Sequence, residues 1–160
     1  MPHIWTSQGG KATVSSYAGA SDDLKHAHGE FLRNIPAYRI IGDNYAAIMH
    51  GGCVAEFYLP ILHLMPPETL MWDRDLYYSF KAYKCAGKEY NITPFNNVFI
   101  GHTQTGNQSV GFEPFGHCGL YNLDQGAGWD GVLTVMDLYT KEWWQSDRVS
   151  TLYQGVGGRK

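Results

Sequence analysis

The chain has 160 residues, with 12 Lys+Arg against 15 Asp+Glu and a formal net charge of −3. That balance, without any basic or acidic run, excludes the electrostatic footprint of a nucleic-acid binder. No apolar run approaches the ~18–20 residues of a membrane-spanning helix.

The hydrophobic fraction of 44% is enough for a core, and 19 Gly imply many turns. Both point to a single unit over residues 1–160, one domain or a piece of one, with a mixed or strand-rich fold. Met1 to Gly10 has neither the basic nor the apolar region of a secretory signal. The cysteines, Cys53, Cys85 and Cys118, are odd in number and contain no Cys-x-x-Cys pair. They read as reduced, mostly buried thiols, and the expectation is a cytoplasmic protein.

In chain order, Trp5 to Gly10 reads as a polar glycine turn, and Lys11 to Tyr17 as a short helix or a strand. Ser21 followed by Asp22 and Asp23 is a helix start, because a hydroxyl and two acids suit the free N–H groups and the positive dipole end. Leu24, Ala27, Phe31 and Leu32 then recur at helical spacing, which predicts a helix over 22–33 ending before Pro36. Tyr38 to Ile41, the turn Gly42-Asp43-Asn44, and Tyr45 to His50 predict a β-hairpin. Pro67 suits the first turn of a short helix through Trp72, and a second helix runs from about Leu76 to Cys85. Strands are predicted at 96–101, 119–123 and 131–138. The last is nearly all apolar, as in a strand covered on both faces. The chain returns through Tyr139 to Lys141 into 142–145, and 148–160 is expected to be a flexible tail.

Two histidines stand out. His50 closes the apolar run Ala46 to Met49 and precedes Gly51-Gly52. His102 closes Val98 to Gly101 and precedes Thr103. A strand ending in a small-residue turn tipped by imidazole can present a metal ligand, and glycine lets backbone approach an ion or phosphate closely. Each histidine could equally be a strand-end residue bonded to a carbonyl. Thr103 could fix an imidazole tautomer, and Asp124 could orient a histidine or simply form a turn. Arg74 could bind phosphate with two parallel hydrogen bonds or pair with Asp73 or Asp75 on the surface. His26 and His28 lie two apart on a helix and face apart. His63 and His117 have no evident acid or metal partners. A single-metal site from His50, His102 and Asp124 is a further option.

The order of the short motifs is more specific than any one of them. It runs Ser7-Gln8-Gly9-Gly10, Ser16-Tyr17, Met49-His50-Gly51-Gly52, Met71-Trp72-Asp73-Arg74, Phe99-Ile100-Gly101-His102-Thr103-Gln104-Thr105, Asn122-Leu123-Asp124-Gln125-Gly126-Ala127, and Gly131-Val132-Leu133-Thr134 through Lys141-Glu142. From about residue 4 to 147 the chain resembles the C-terminal half of a calcineurin-like metallophosphoesterase, in the serine/threonine protein phosphatase branch and most like its bacterial and phage members. The resemblance implies an α/β (α+β) fold, the C-terminal part of a two-sheet β-sandwich flanked by helices. It implies a binuclear centre of divalent ions (Mn, Fe or Zn) that hydrolyses phosphate monoesters through an activated water. His50 and His102 would be metal ligands, and Arg74 would bind the phosphate. Gly51, Gly52, Thr103 and Asp124 would shape the pocket. Gln125 stands where the family has threonine. The family's Gly-Asp-x-His, Gly-Asp-x-x-Asp-Arg-Gly and Gly-Asn-His motifs do not occur in these 160 residues. The implied partners are a phosphorylated protein or small phosphoester and a separate N-terminal half, with neither nucleic acid nor membrane. An isolated chain is expected to be weakly active or inactive. The alternative is a non-catalytic binding module derived from the fold, using Trp143-Trp144 or Tyr77-Tyr78.

Overall fold

A computed structural model describes residues 5–106 and 111–155. The described residues group into two units, divided after Pro36. The first is helical. A π-helical turn over Thr6–Gly10 leads directly into α1 (Lys11–Ser16), where the sequence suggested a glycine turn. Helix α2 (Asp22–Arg33) has the bounds expected, with Ser21 accepting a hydrogen bond from Leu24 N at its start. None of its residues is buried, so its apolar face, with Phe31 and Leu32, stays open.

The second unit is a mixed α/β fold. Strands β1 (Tyr38–Ile41) and β2 (Ala46–Met49) form the expected hairpin. A 3₁₀ run over Glu56–Leu64 follows, then α3 (Pro67–Trp72) and α4 (Asp75–Cys85). Pro67 occupies the first turn of α3, where its missing N–H costs nothing. Strands β3 (Asn97–Ile100), β4 (Phe115–His117) and β5 (Leu120–Asn122) complete a five-stranded sheet in the order β1-β2-β3-β5-β4. The three central strands run parallel, and the two edges are antiparallel.

Alternation along the strands divides the side chains between two faces. Ala47, Met49, Val98, Ile100 and Leu120 enter the core with Leu59, Leu62, Leu70, Leu76 and Phe80 from the helical segments. Ile48, Phe99 and Tyr121 lie in register on the other face. There Phe99 and Tyr121 stack with centroids 5.3 Å apart, and the Lys141 ammonium sits over both rings. The same lysine donates to Tyr45 Oη at 3.1 Å. It thereby ties the turn of a small second sheet, β6 (Thr134–Met136) with β7 (Trp143–Gln145), to this face.

The strand expected over 131–138 is cut to three residues. Asp137 Oδ1 accepts from both Tyr139 N and Thr140 N at 2.8 Å, which turns the chain early. Nor is this strand covered on both faces, because Leu133 and Val135 are exposed. Strand β4 was not foreseen, since its Phe-Gly-His sequence has no apolar alternation. In the expected tail, Val149–Leu152 form a short helix, α5, anchored by Val149 N on Gly131 O. Residues 156–160 lie outside the described residues. No helix among the described residues is long and apolar enough to cross a membrane.

Candidate functional site

The carboxyl ends of three adjacent parallel strands carry the residues singled out in the sequence. His50 follows β2, Gly101-His102-Thr103 follow β3, and Asp124 follows β5. This is the edge at which open α/β sheets bind ligands, because the loops there splay apart above the strand ends. The His50 and His102 rings have centroids 5.0 Å apart. Trp72 stands edge-on to His102, with centroids 5.4 Å apart and planes at 89°.

The loops owe their shape to local backbone chemistry. Gly101 N donates to His50 O at 2.8 Å, which carries the β2–β3 pairing as far as the first histidine. Thr103 N then donates to Gly101 O at 2.6 Å, closing a three-residue turn around His102. His102 has φ +61°, a left-handed conformation that L side chains rarely adopt. Such strain persists only where the surroundings impose it, and it concentrates at functional sites.

Gly51 and Gly52 make room for the Trp72-Asp73-Arg74 turn. Gly51 N donates to Leu70 O at 2.8 Å, and a Cβ at Gly51 would meet Asp73 O at 2.9 Å. At Gly52 a Cβ would collide with the Asp73 carboxylate. That carboxylate accepts from Asp75 N and Leu76 N, both at 3.2 Å, and so caps α4. The cap fixes where Arg74 leaves the chain. Arg74 Nη1 donates to His102 O at 3.0 Å and to Thr103 Oγ1 at 3.2 Å. The surface ion pair with Asp73 or Asp75 is not what holds this guanidinium. It is exposed yet oriented through Nη1.

Behind the histidines lies a buried polar network. Asn122 Nδ2 donates to Thr103 O at 2.9 Å, and Asp124 N to Asn122 Oδ1 at 2.8 Å. Gln125 Nε2 donates to Thr105 Oγ1 and to Asn122 O, both at 3.0 Å. Asp124 Oδ1 accepts from Gly126 N at 3.0 Å, the turn-forming role that the sequence left open. The network joins the two loops and so fixes the backbone on which His102 stands. Thr103, Asn122 and Gln125 are buried. Reading the sequence for ligands missed Asn122, Gln125 and Trp72. The available signal was a run of amide and hydroxyl side chains straight after apolar strands.

A cavity of about 340 Å³ opens beside the histidines. His50, His102, Asp124 and Gln125 line it, together with apolar Phe99 and Leu133. Among the described residues no three His, Cys, Asp or Glu side chains come together as a metal-binding group. His117 lies elsewhere, with Nε2 at 2.7 Å from Lys88 O. No family model matches the chain, and no curated protein matches it.

Proposed function

We propose that this chain is the phosphate-binding half of a metal-dependent phosphoesterase acting on phosphate monoesters, with a phosphorylated protein as the substrate class. The observation that carries the reading is the arrangement of Arg74, an exposed guanidinium anchored through Nη1 on the backbone of His102 and on Thr103 Oγ1, in the loop whose imidazole lies 5.0 Å from that of His50. A guanidinium held in this way binds a phosphate in one orientation and stabilises charge that grows on its oxygens during transfer. The imidazoles have the right donor type for divalent ions, and the described residues do not complete a set, so the remaining donors come from outside them. When bound, a metal pair supplies a hydroxide nucleophile at neutral pH and neutralises phosphate charge. This chain's own residues bind the phosphate through Arg74 and hold the His102 loop through Thr103 and Asn122. The presence of a small β6–β7 sheet beside the five-stranded one supports reading the second unit as part of a two-sheet sandwich, in which β6 and β7 would belong to the second sheet.

The test is titration of the chain with inorganic phosphate in the presence of manganese. Arg74→Ala is expected to weaken binding by about tenfold or more, the scale of losing charge-assisted hydrogen bonds. Equal binding by Arg74→Ala and the unaltered chain, or no binding by either, would end the phosphoesterase reading.

A non-catalytic binding module is the second reading. It draws on Trp143 and Trp144, both exposed, with exposed Val135 directly opposite Trp144 in the small sheet, since exposed apolar side chains can mark a contact surface, whereas Tyr77 of the other candidate pair is buried. It predicts a folded chain with no phosphate affinity.

A further inference from the structure

Trp72 ends α3 and is 64% exposed. Exposure alone does not mark a site, because single apolar side chains at a surface are ordinary. What sets this indole apart is its company. It stands edge-on to the His102 imidazole, with centroids 5.4 Å apart and planes at 89°. Two residues on, Arg74 Nη1 donates to His102 O at 3.0 Å. A flat apolar ring and a guanidinium therefore meet on the same residue. Asp73 between them is pinned through backbone and side chain. Its N donates to Thr69 O at 2.9 Å, and its carboxylate accepts from Asp75 N and Leu76 N, both at 3.2 Å. The ring and the cation are thus positioned together before any ligand arrives, which lowers the cost of binding.

An edge-on neighbour covers at most one face of an indole, and the exposure of Trp72 leaves another in water. The side chain carries no acid or base, so what it offers a ligand is that π face. Aromatic rings prefer stacked or edge-to-face partners, and ligand sites are commonly lined by such rings beside a few polar groups. A phosphate on Arg74 holds its alcohol portion an ester bond away. A ring attached directly to the ester oxygen comes within reach of the indole. A serine or threonine ester brings only a short carbon stem, with no π face to stack.

We propose that Trp72 is a stacking platform for the alcohol portion of the phosphoester, so that the site prefers phosphates of phenols, the class to which a phosphorylated tyrosine side chain belongs. The proposal rests on the phosphoesterase reading and adds a specificity residue to it. Arg74 binds the phosphate whatever alcohol it carries, and Trp72 discriminates among the alcohols.

The test uses phenyl phosphate and cyclohexyl phosphate, which carry rings of the same size on the same ester oxygen, aromatic in the first and saturated in the second. Each is titrated into the unaltered chain with manganese, beside inorganic phosphate. Phenyl phosphate is expected to bind about threefold or more tightly than cyclohexyl phosphate, the scale of an aromatic pair. Plain burial predicts the reverse, since the saturated ring is the more apolar. Trp72→Leu is expected to abolish the preference, and Trp72→Phe to keep part of it. The readout is the ratio of the two affinities within each variant, so any change in phosphate binding transmitted through His102 divides out. If Trp72→Leu does not fold, as a thermal melt would reveal, the unaltered chain and Trp72→Phe still decide. N-acetylphosphotyrosinamide separates the sources of such a ring: binding as tight as that of phenyl phosphate assigns the platform to a protein side chain, and weaker binding assigns it to small aryl phosphates. Equal affinity for phenyl and cyclohexyl phosphate, or a preference that survives Trp72→Leu, overturns the role of Trp72. With inorganic phosphate still bound through Arg74, either result leaves the phosphoesterase reading standing. Failure of every phosphate to bind removes that reading, and this inference with it.

Discussion

At the scale of single residues, the site is built on positions that tolerate no side chain or an unusual backbone. Gly51 shows this most directly. Its N–H is bonded to Leu70 O, and an added Cβ would meet Asp73 O at 2.9 Å and Leu70 O at 3.0 Å. Both are backbone atoms, so neither can swing aside as a flexible side chain would. Gly51→Ala is expected to destabilise the second unit by about 1–3 kcal/mol through overpacking. It should also displace the Asp73-Arg74 turn, weakening phosphate binding although the guanidinium is intact. Urea denaturation and phosphate titration of the same variant check both effects. A midpoint unchanged from the parent would show that the turn has slack the packing does not suggest. His102 is the opposite case, a bulky residue held at φ +61° by the turn that Thr103 N closes on Gly101 O.

At the scale of elements, the ends matter more than the interiors. Helix α4 has no side-chain cap from Arg74, the residue that immediately precedes it. The Asp73 carboxylate does that work from one position further back, receiving Asp75 N and Leu76 N. Asp73→Ala is expected to cost about 1 kcal/mol, the usual value of an N-terminal cap. Because the same carboxylate packs over Gly52, the loss should be larger than for an exposed Asp removed elsewhere, such as Asp22→Ala. Parallel urea titrations of the two variants would measure it, and equal small effects would mean the cap contributes nothing. Elements with strong periodicity or punctuation were legible in the chain, including α2 with its Ser21 cap and α3 with its Pro67 start. So were the strand ends that carry His50, His102 and Asp124. What was not legible rests on contacts that no hydrophobic period announces, local in two cases and distant in a third. Strand β4 forms because Phe115 to His117 pairs with β5, and nothing in Phe-Gly-His announces it. Strand β6 is short because Asp137 captures two N–H groups ahead of it. The partner of Arg74 is a carbonyl 28 residues away, which no local pattern can reveal.

At the scale of the whole molecule, the core of the second unit has an alkaline limit. Cys53 is fully buried among Leu59, Leu70 and Leu76, and burial first, then the Asp73 charge, pushes its thiol up from 9.0 to about 12. Tyr90, in the same core and donating to Glu56 at 2.9 Å, is also pushed well above the usual phenol value by burial. Both groups are neutral in the folded chain and lose their protons more readily when it unfolds. Below pH 9 neither state gives up the thiol proton, so Cys53 contributes no pH dependence there. Between about pH 9 and 12 the unfolded chain binds fewer protons than the folded one, and stability falls as pH rises. For Cys53 alone the loss from pH 8 to pH 10 is about 1.4 kcal/mol, since each pH unit above the unfolded value costs about 1.36 kcal/mol. Cys53→Ala is expected to remove that part of the decline at some cost in packing, leaving the shallower slope that Tyr90 contributes from pH 10 upward. Urea denaturation at pH 8 and pH 10, on the unaltered chain and on Cys53→Ala, measures the difference. An identical decline in both would mean that the thiol reaches water in the folded state. Alkylation gives an independent reading of the same burial: of the three thiols expected to be mostly buried only Cys53 is, so Cys85 and Cys118, which lie on exposed turns and ends, should react at pH 8 while Cys53 reacts only as the chain unfolds.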